Sequence, residues 1–264
     1  MTWDINPILV SLGPLKVHWY GLLFALGFII GFQIMQWIFK REHRNIEDLD
    51  KLLWFLLIGV IVGARLAHVI FYDPAYYFAD PVKILKIWEG GLASHGGAIG
   101  ALLGLYLFKR NKDYSYRWLL DRLAIPTALV AASIRTGNLF NSEIVGIPTS
   151  VSWAVIFERV DSLPRHPAQV YEALCYLFIF IVLFLLYKTT KIKHKQGMLF
   201  GILVSFVFTA RLLIEFVKSK QEAYSSDLWL NTGQLLSIPF ILGGLLLIIL
   251  AIVAKKEEAT ALKQ

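Results

Sequence analysis

The feature that most constrains this chain is a series of apolar stretches, each long enough to cross a lipid bilayer. An α-helix rises about 1.5 Å per residue, so roughly 20 apolar residues span a hydrocarbon core of about 30 Å. Hydrophobic residues make up 57% of the 264-residue chain, which excludes an ordinary soluble domain. The stretches near this length are residues 17–38, 52–72, 92–108, 118–139, 169–188, 198–217 and 233–254. We therefore predict an all-α integral membrane protein, in which residues 1–264 form a single transmembrane domain of about seven helices.

The distribution of basic residues predicts the orientation of this helix bundle. The loops after the first, third and fifth stretches and the C-terminal tail carry fifteen lysines and arginines, whereas the opposite loops carry seven. Because cytoplasmic loops are enriched in Lys and Arg, we expect the N-terminus outside and the C-terminus in the cytoplasm. Topology accounts for most of the formal charge of +7, and we expect no nucleic-acid partner.

Polar and ionisable residues from six of the stretches fall at one depth, in the outer half of the bundle. A charged side chain inside a bilayer costs roughly 2.5–3.5 kcal/mol, so such residues are functional candidates. Taken singly, an arginine can snorkel to the headgroups, and Arg211 with Glu215 can form a structural ion pair four residues apart. The residues at this depth are Tyr20, Arg65, His68, Ser94, His95, Arg135, Asn138, Gln169, Tyr171, Glu172, Arg211 and Glu215. Their coincidence favours a polar chamber that opens towards the outer leaflet.

A long polar connection, residues 140–168, joins the fourth and fifth stretches. It contains Pro148, Pro164 and Pro167 and short segments of alternating polarity. Connections of this length are uncommon in compact domains unless they are functional. We expect this connection to form a small, partly β cap on the outer face, above the chamber.

The residues of the chamber are suited to a phosphate. The guanidinium groups of Arg135 and Arg211 donate paired hydrogen bonds and stay charged at any relevant pH. Asn138 and Asn141 can bind hydroxyl or ester oxygens, and His95 is the natural proton acceptor. The chain has no GxSxG or Ser-Lys signature and only one cysteine, so we predict no metal site and no cofactor. Without a nucleophile of its own, an enzyme of this kind needs one from a substrate.

Two other classes of protein are compatible with these features. A transporter or channel also combines several spans with buried charges, but it predicts polar residues along the whole depth of the bundle. A membrane phosphatase or phospholipase would release lipid without a peptide acceptor. Both remain alternatives to a transfer enzyme at this point.

The stretch RTGNLFNSEIVG, residues 135–146, closely resembles the signature of the bacterial prolipoprotein diacylglyceryl transferases. That signature reads roughly R-x-G-N-F-x-N-x-E-x-x-G, and this chain shifts its aromatic residue by one place. Where the family continues with an arginine after the R-x-x-x-E-F stretch, this chain has Lys218. Further similar segments are HWYG (18–21), GARLAHVIFY (63–72), EGGLASHGG (89–97), RHPAQVYE (165–172), RLLIEF (211–216) and GQLLSIP (233–239).

The resemblance implies a multi-pass enzyme of the bacterial inner (cytoplasmic) membrane that lipidates proteins during lipoprotein biosynthesis. Such a transferase moves the sn-1,2-diacylglyceryl group of phosphatidylglycerol to the lipobox cysteine of a prolipoprotein. The products are a thioether and glycerol phosphate. The family match assigns functional positions to Arg135, Arg211, His95, Tyr20, Asn138, Glu143, Gly146 and Glu215.

We therefore expect Arg135, Arg211 and His95 to be catalytic. In this hypothesis His95 accepts the proton of the thiol, while the arginines hold the phosphate and stabilise the departing glycerol phosphate. Glu143 and Glu215 are alternatives for the base, and they are otherwise expected to orient the arginines. The expected substrate-binding residues are Arg135, Tyr20, Asn138, Asn141, Glu143, Gly146, Glu215, Arg65 and Glu172.

Overall fold

The computed structural model describes residues 1–13, 15–110, 112–219 and 230–261, and it is mostly helical. A helix covers each apolar stretch of the sequence, and two short helices lie between the second and third stretches. The helices are α1 (Trp19–Arg41), α2 (Ile46–Phe71), α3 (Pro74–Ala79), α4 (Val82–Leu85), α5 (Ser94–Arg110), α6 (Tyr116–Asn141), α7 (Ala168–Thr189), α8 (Met198–Ile214) and α9 (Thr232–Ala261). The strands are β1 (Thr2–Trp3), β2 (Ile8–Leu12), β3 (Leu15–His18), β4 (Val155–Phe157) and β5 (Pro164–Arg165).

Among the described residues, six helices are long and apolar enough to cross a membrane. They are α1, α2, α6, α7, α8 with its extension to Val217, and α9. Large hydrophobic side chains such as Trp54, Phe178 and Leu242 are exposed on these helices. This is the surface expected of a helix whose outer side contacts lipid. The remaining apolar stretch, residues 92–108, corresponds to α5, which has 17 residues and a length of about 26 Å.

The chain divides into two compact units, Gln36–Leu119 and Met1–Met35 with the described part of Leu120–Gln264. In the first unit, α2 and α5 lie in direct backbone contact. A Cβ atom added to Gly100 would lie 1.9 Å from the carbonyl oxygen of Gly59, and one added to Gly63 would lie 2.3 Å from that of Gly96. The glycines at four-residue spacing in α5 therefore allow the backbones of α2 and α5 to approach each other. Small residues commonly have this role where membrane helices pack.

The second unit contains α7, α8 and α9, most of α1 and α6, and the short strands. β4 pairs with β5 in antiparallel and with β1 in parallel orientation, while β2 and β3 form a separate hairpin. Val145 forms a small hydrophobic cluster with Val155 and Phe157 of β4. Phe157 has no exposed surface, and Trp3 packs against the cluster. The N-terminal residues thus contribute a strand beside the 140–168 connection. Sequence reasoning missed that strand because a two-residue parallel pairing leaves no periodic signal.

Candidate active site

Arg135 lies near the C-terminal end of α6 and is oriented by two partners. Its Nε atom is 2.9 Å from a carboxylate oxygen of Glu172 on α7, a side chain with no exposed surface. Its Nη1 atom donates a hydrogen bond of 3.3 Å to Oδ1 of Asn138, one turn further along α6. The Arg135 side chain itself keeps 19% of its surface exposed. The guanidinium is therefore held in place on a side chain that remains partly accessible.

Glu143 brings the two asparagines of the same motif together. Its carboxylate oxygens accept hydrogen bonds from Nδ2 of Asn138 at 2.9 Å and from Nδ2 of Asn141 at 3.1 Å. The neighbouring residues Ser142 and Ile144 have φ angles of 55° and 57°, so the backbone turns sharply directly after α6. The turn folds the motif back on itself, and one polar cluster results at the end of the helix.

Tyr20 joins this cluster from the first turn of α1. A Cβ atom added to Gly137 would lie 2.6 Å from the Tyr20 ring, so the glycine of the motif provides the space that the ring occupies. The Tyr20 hydroxyl is close enough to Glu143 and Arg135 to interact electrostatically with both. Tyr20, Arg135 and Glu143, predicted together from the sequence, are therefore neighbours in the structure.

Gly146 lies where three backbone segments meet. Its N–H donates to the carbonyl oxygen of His166 at 2.9 Å, and the N–H of Ile147 donates to that of Val217 at 2.9 Å. A Cβ atom on Gly146 would lie 2.6 Å from both of these oxygens. Only glycine allows this close approach, which holds the segment after α6 to the start of α7 and the end of α8.

Lys218 extends the ion pair of Arg135 into a chain of alternating charges, of which Glu172 and Lys218 are buried. Its Nζ atom lies 3.6 Å from Oε1 of Glu172 and 3.5 Å from Oε2 of Glu215. Glu172 thus bridges two cations, and Lys218 bridges two carboxylates. The alternation Arg135, Glu172, Lys218, Glu215 gives each buried charge an opposite neighbour, without which burial would be costly. Sequence reasoning placed Lys218 at a departure from the family pattern, and its side chain is only 6% exposed.

Arg211 lies on α8, one turn before Glu215. Its guanidinium and that of Arg135 both lie close enough to the buried Tyr176 on α7 to interact electrostatically. The Nε atom of Arg211 is buried without a hydrogen-bond partner among the described residues. The ion pair of Glu215 that the structure describes is with Lys218, not with Arg211. The two predicted phosphate-binding arginines therefore lie within electrostatic range of the same side chain of α7.

His95 and Arg65 belong to the unit Gln36–Leu119. His95 is exposed in the first turn of α5. Arg65 is buried, and its guanidinium donates to the Tyr77 hydroxyl at 3.3 Å and to five backbone carbonyl groups. Those carbonyls belong to Lys83, Ile84, Lys86, Gly90 and Gly91. Arg65 organises the segment between α2 and α5 in this way, and its contact with substrate remains a prediction.

Arg165 was not singled out as a site residue from the sequence, although it opens the RHPAQVYE segment. Its guanidinium pairs with the carboxylate of Asp161 through Nε at 3.0 Å, and its Nη1 donates to the carbonyl oxygen of Gly146 at 3.1 Å. The hydrogen bonds from Arg165 hold the pKa of Asp161 below its usual range. An arginine immediately before a helix that carries Glu172 was the available signal. Its partners, however, depend on the fold of the connection.

The site thus combines two arginines with carboxylates, amides and a tyrosine at one end of membrane-length helices. No group of three His, Cys, Asp or Glu side chains within the described ranges is placed to hold a metal ion. Arginines that are oriented by buried carboxylates bind phosphate groups by paired hydrogen bonds. The fold defines an integral membrane protein, and the side chains gathered at this site are of the types that suit an anionic group.

Comparison with known proteins identifies the family. A model described as prolipoprotein diacylglyceryl transferase matches residues 7–250. A phosphatidylglycerol–prolipoprotein diacylglyceryl transferase of Tolumonas auensis is 54% identical, over 97% of this chain and 98% of the relative. Relatives with the same name from Chloroherpeton thalassium (98% and 97% covered) and Porphyromonas gingivalis (96% and 95% covered) are each 46% identical. The chain belongs to the prolipoprotein diacylglyceryl transferase family.

Proposed function

We propose that this protein transfers the sn-1,2-diacylglyceryl group of phosphatidylglycerol to the lipobox cysteine of prolipoproteins. The relatives carry phosphatidylglycerol and prolipoprotein in their names and match this chain over nearly its whole length. The observation that carries the proposal is Arg135, held by Glu172 and Asn138 within the RTGNLFNSEIVG motif and still partly exposed. This arrangement presents a preoriented guanidinium to the phosphate of a lipid.

In the proposed reaction the cysteine sulfur attacks the carbon of the diacylglyceryl group that is bonded to the phosphate oxygen. A carbon–sulfur bond forms, the carbon–oxygen bond breaks, and glycerol phosphate leaves with the electron pair. Arg135 and Arg211 bind the phosphate and stabilise the negative charge that develops on the leaving group. The carboxylates of Glu172 and Glu215, with Lys218 between them, offset part of the positive charge of this site.

The thiol must lose its proton before it attacks, since the thiolate is the nucleophile. We assign the proton acceptor to His95, an exposed imidazole at the start of α5. Glu143 and Glu215 are the alternative bases, but both carboxylate oxygens of Glu143 already accept hydrogen bonds from asparagines, and Glu215 pairs with Lys218. Tyr20, Asn138, Asn141 and Gly146 are assigned to substrate binding, and so is Arg65.

The proposed topology places the N-terminus outside the bacterial inner membrane and the C-terminus in the cytoplasm. We propose that α5 is a seventh crossing, because its glycines contact the backbone of α2, which is itself long enough to span. Residues 140–168 with the N-terminal strand then form a cap on the outer face. The site at the end of α6 lies beneath that cap, at the level of the outer headgroups.

The test is to incubate purified protein with labelled phosphatidylglycerol, with and without a lipobox peptide. Transfer predicts label on the peptide only when both substrates are present. With the label in the diacylglyceryl group, labelled diacylglycerol or fatty acid formed without the peptide would favour a phospholipid hydrolase, and movement of intact lipid without any chemistry would favour a transporter. Arg135→Lys should abolish transfer, because lysine keeps the charge and loses the paired geometry.

A further inference from the structure

One buried amide next to the site lacks the partners that such a group needs. Gln169 has no exposed surface, and both its amide nitrogen and its amide oxygen lack a hydrogen-bond partner. Within the described ranges it is the only buried side-chain amide of which this is true. Buried polar groups in native proteins are nearly always paired, and an unpaired one destabilises the protein unless a ligand or water completes it.

Gln169 lies on the same face of α7 as two residues of the candidate active site. It lies on the buried face of α7 with Glu172 three residues later and Tyr176 seven residues later. Residues three and four apart are neighbours on one helix face, so Gln169 is one turn from Glu172 towards the start of α7. Glu172 contacts Arg135, and Tyr176 interacts with Arg135 and Arg211. Gln169 therefore extends the face of α7 that orients the phosphate-binding arginines.

Other polar groups near the start of α7 are already engaged with one another. Nδ1 of His166 lies 3.1 Å from the Tyr171 hydroxyl, which also accepts a 2.7 Å hydrogen bond from Nε1 of Trp153. The two asparagines of the motif donate to Glu143. Gln169 is thus left with one donor group and one acceptor group beside a site for a phosphate.

We propose that Gln169 is a substrate-binding residue that recognises the headgroup glycerol of phosphatidylglycerol. A carboxamide donates through its nitrogen and accepts through its oxygen, and a glycerol headgroup offers hydroxyls that do both. A phosphate offers hydrogen-bond acceptors only. The arginines therefore bind the phosphate, which all phospholipids have, and Gln169 binds the glycerol hydroxyls, which distinguish phosphatidylglycerol. Pairing of the buried amide with the headgroup then favours the bound state. This inference rests on the proposed function for the identity of the lipid.

The experiment compares phosphatidylglycerol with phosphatidylpropanol, which has the same phosphodiester and a three-carbon headgroup without hydroxyls. Binding is measured as the rise in unfolding temperature of the purified protein in detergent. Phosphatidylglycerol should stabilise the wild-type protein more, and Gln169→Leu should remove the difference between the two lipids. With a lipobox peptide, this variant should lose on the order of tenfold in kcat/KM, mainly through KM.

The lipid-free protein provides a second readout that a merely structural role would not give. Replacing an unpaired buried amide by an apolar side chain of similar volume should leave the unfolding temperature unchanged or higher, while lipid selectivity falls. Gln169→Met, which keeps the length of the side chain, covers the case in which the leucine variant does not fold. Gln33→Leu makes the same chemical change at an exposed position of α1 and should leave selectivity intact.

The outcomes separate this inference from the proposed function. A Gln169 variant that keeps the wild-type preference for phosphatidylglycerol overturns the inference, and so does a wild-type protein without any preference. A lower unfolding temperature of the lipid-free variants with unchanged selectivity would also overturn it, since Gln169 would then be structural. If selectivity depends on Gln169 but no label reaches the peptide, headgroup recognition stands and the transferase proposal fails.

Discussion

Gly146 and Gly243 differ in the space that the structure leaves for a Cβ atom. Gly146 has carbonyl oxygens of two other segments where a Cβ atom would lie, whereas a Cβ on Gly243 of α9 would meet nothing within 4 Å. Gly146→Ala should therefore lower stability by more than about 2 kcal/mol and abolish activity, because backbone cannot move aside as a side chain can. Gly243→Ala should be neutral or stabilise the protein by up to about 1 kcal/mol. Thermal unfolding of the two variants checks this pair, and equal effects would contradict it.

Glu172 is the buried carboxylate that holds the Arg135 guanidinium in place. Glu172→Gln leaves the Arg135 guanidinium without its buried carboxylate, which typically costs about 3–5 kcal/mol. We expect a severe loss of stability and at least a 100-fold loss in kcat/KM, since Arg135 is no longer oriented. Lys218→Met should cost less, because Glu172 keeps Arg135 as a partner.

Glu158→Gln is the matched control for that variant, because Glu158 is an exposed carboxylate of the same unit. It should behave as the wild-type protein in both unfolding and transfer assays. A Glu172→Gln protein that is as stable and active as the control would show that the buried ion pair does not orient Arg135.

Most side chains of the candidate site could be singled out from the sequence, but the partners of these side chains could not. Charged residues in apolar stretches are conspicuous because burial is costly, which is how Arg135, Arg211 and Glu172 were found. Which carboxylate pairs with which cation depends on packing between α6, α7 and the segment after α8. The pairing of Glu215 with Lys218 and the role of Arg165 therefore came only from the structure.

At the scale of elements, the connection between α6 and α7 depends on an ion pair that acid should break. Hydrogen bonds from Arg165 lower the pKa of Asp161 from its ordinary value of 3.8. A carboxyl with a lowered pKa in the folded state stabilises the fold above its unfolded pKa. That stabilisation is lost as the pH falls through the lowered folded pKa. We expect the segment around Asp161 to open below about pH 4 while the long helices remain folded.

Hydrogen exchange of residues 158–166 between pH 5 and pH 2, corrected for the intrinsic exchange rate, measures this opening. Asp161→Asn should expose the segment already at pH 5 and remove the acid dependence. Protection that is equal in wild type and variant at both pH values would show that the ion pair does not hold the connection.

The helices were predictable as elements because an apolar run of about 20 residues has few other structures available to it. The ends of the helices were less predictable. The helix α2 begins at Ile46, six residues before the apolar stretch, because Asn45 caps it and the acidic Glu47 and Asp48 stabilise its first turn. The strands were predicted only for the 140–168 connection. The pairing of β1 with β4 joins residues more than 150 positions apart, which no local pattern encodes.

At the scale of the whole molecule, the proposed topology depends on α5 crossing the membrane. Glu89 precedes α5 and Asp113 follows it, and both residues are exposed. In a background with Cys175→Ser, a cysteine at position 89 should react with an impermeant thiol reagent in intact cells. A cysteine at position 113 should react only after the membrane is opened. Labelling of both positions from the same side would mean that α5 does not cross.

The central step of the proposed reaction breaks the carbon–oxygen bond between the diacylglyceryl group and the phosphate, and the diacylglyceryl group goes to a cysteine. The most direct measurement is mass spectrometry of a lipobox peptide and of the released headgroup after incubation with purified protein and phosphatidylglycerol. We predict a mass gain of one diacylglyceryl unit on the cysteine and one equivalent of glycerol phosphate. An unmodified peptide, or a phosphate-bearing lipid adduct on the cysteine, would contradict the claim.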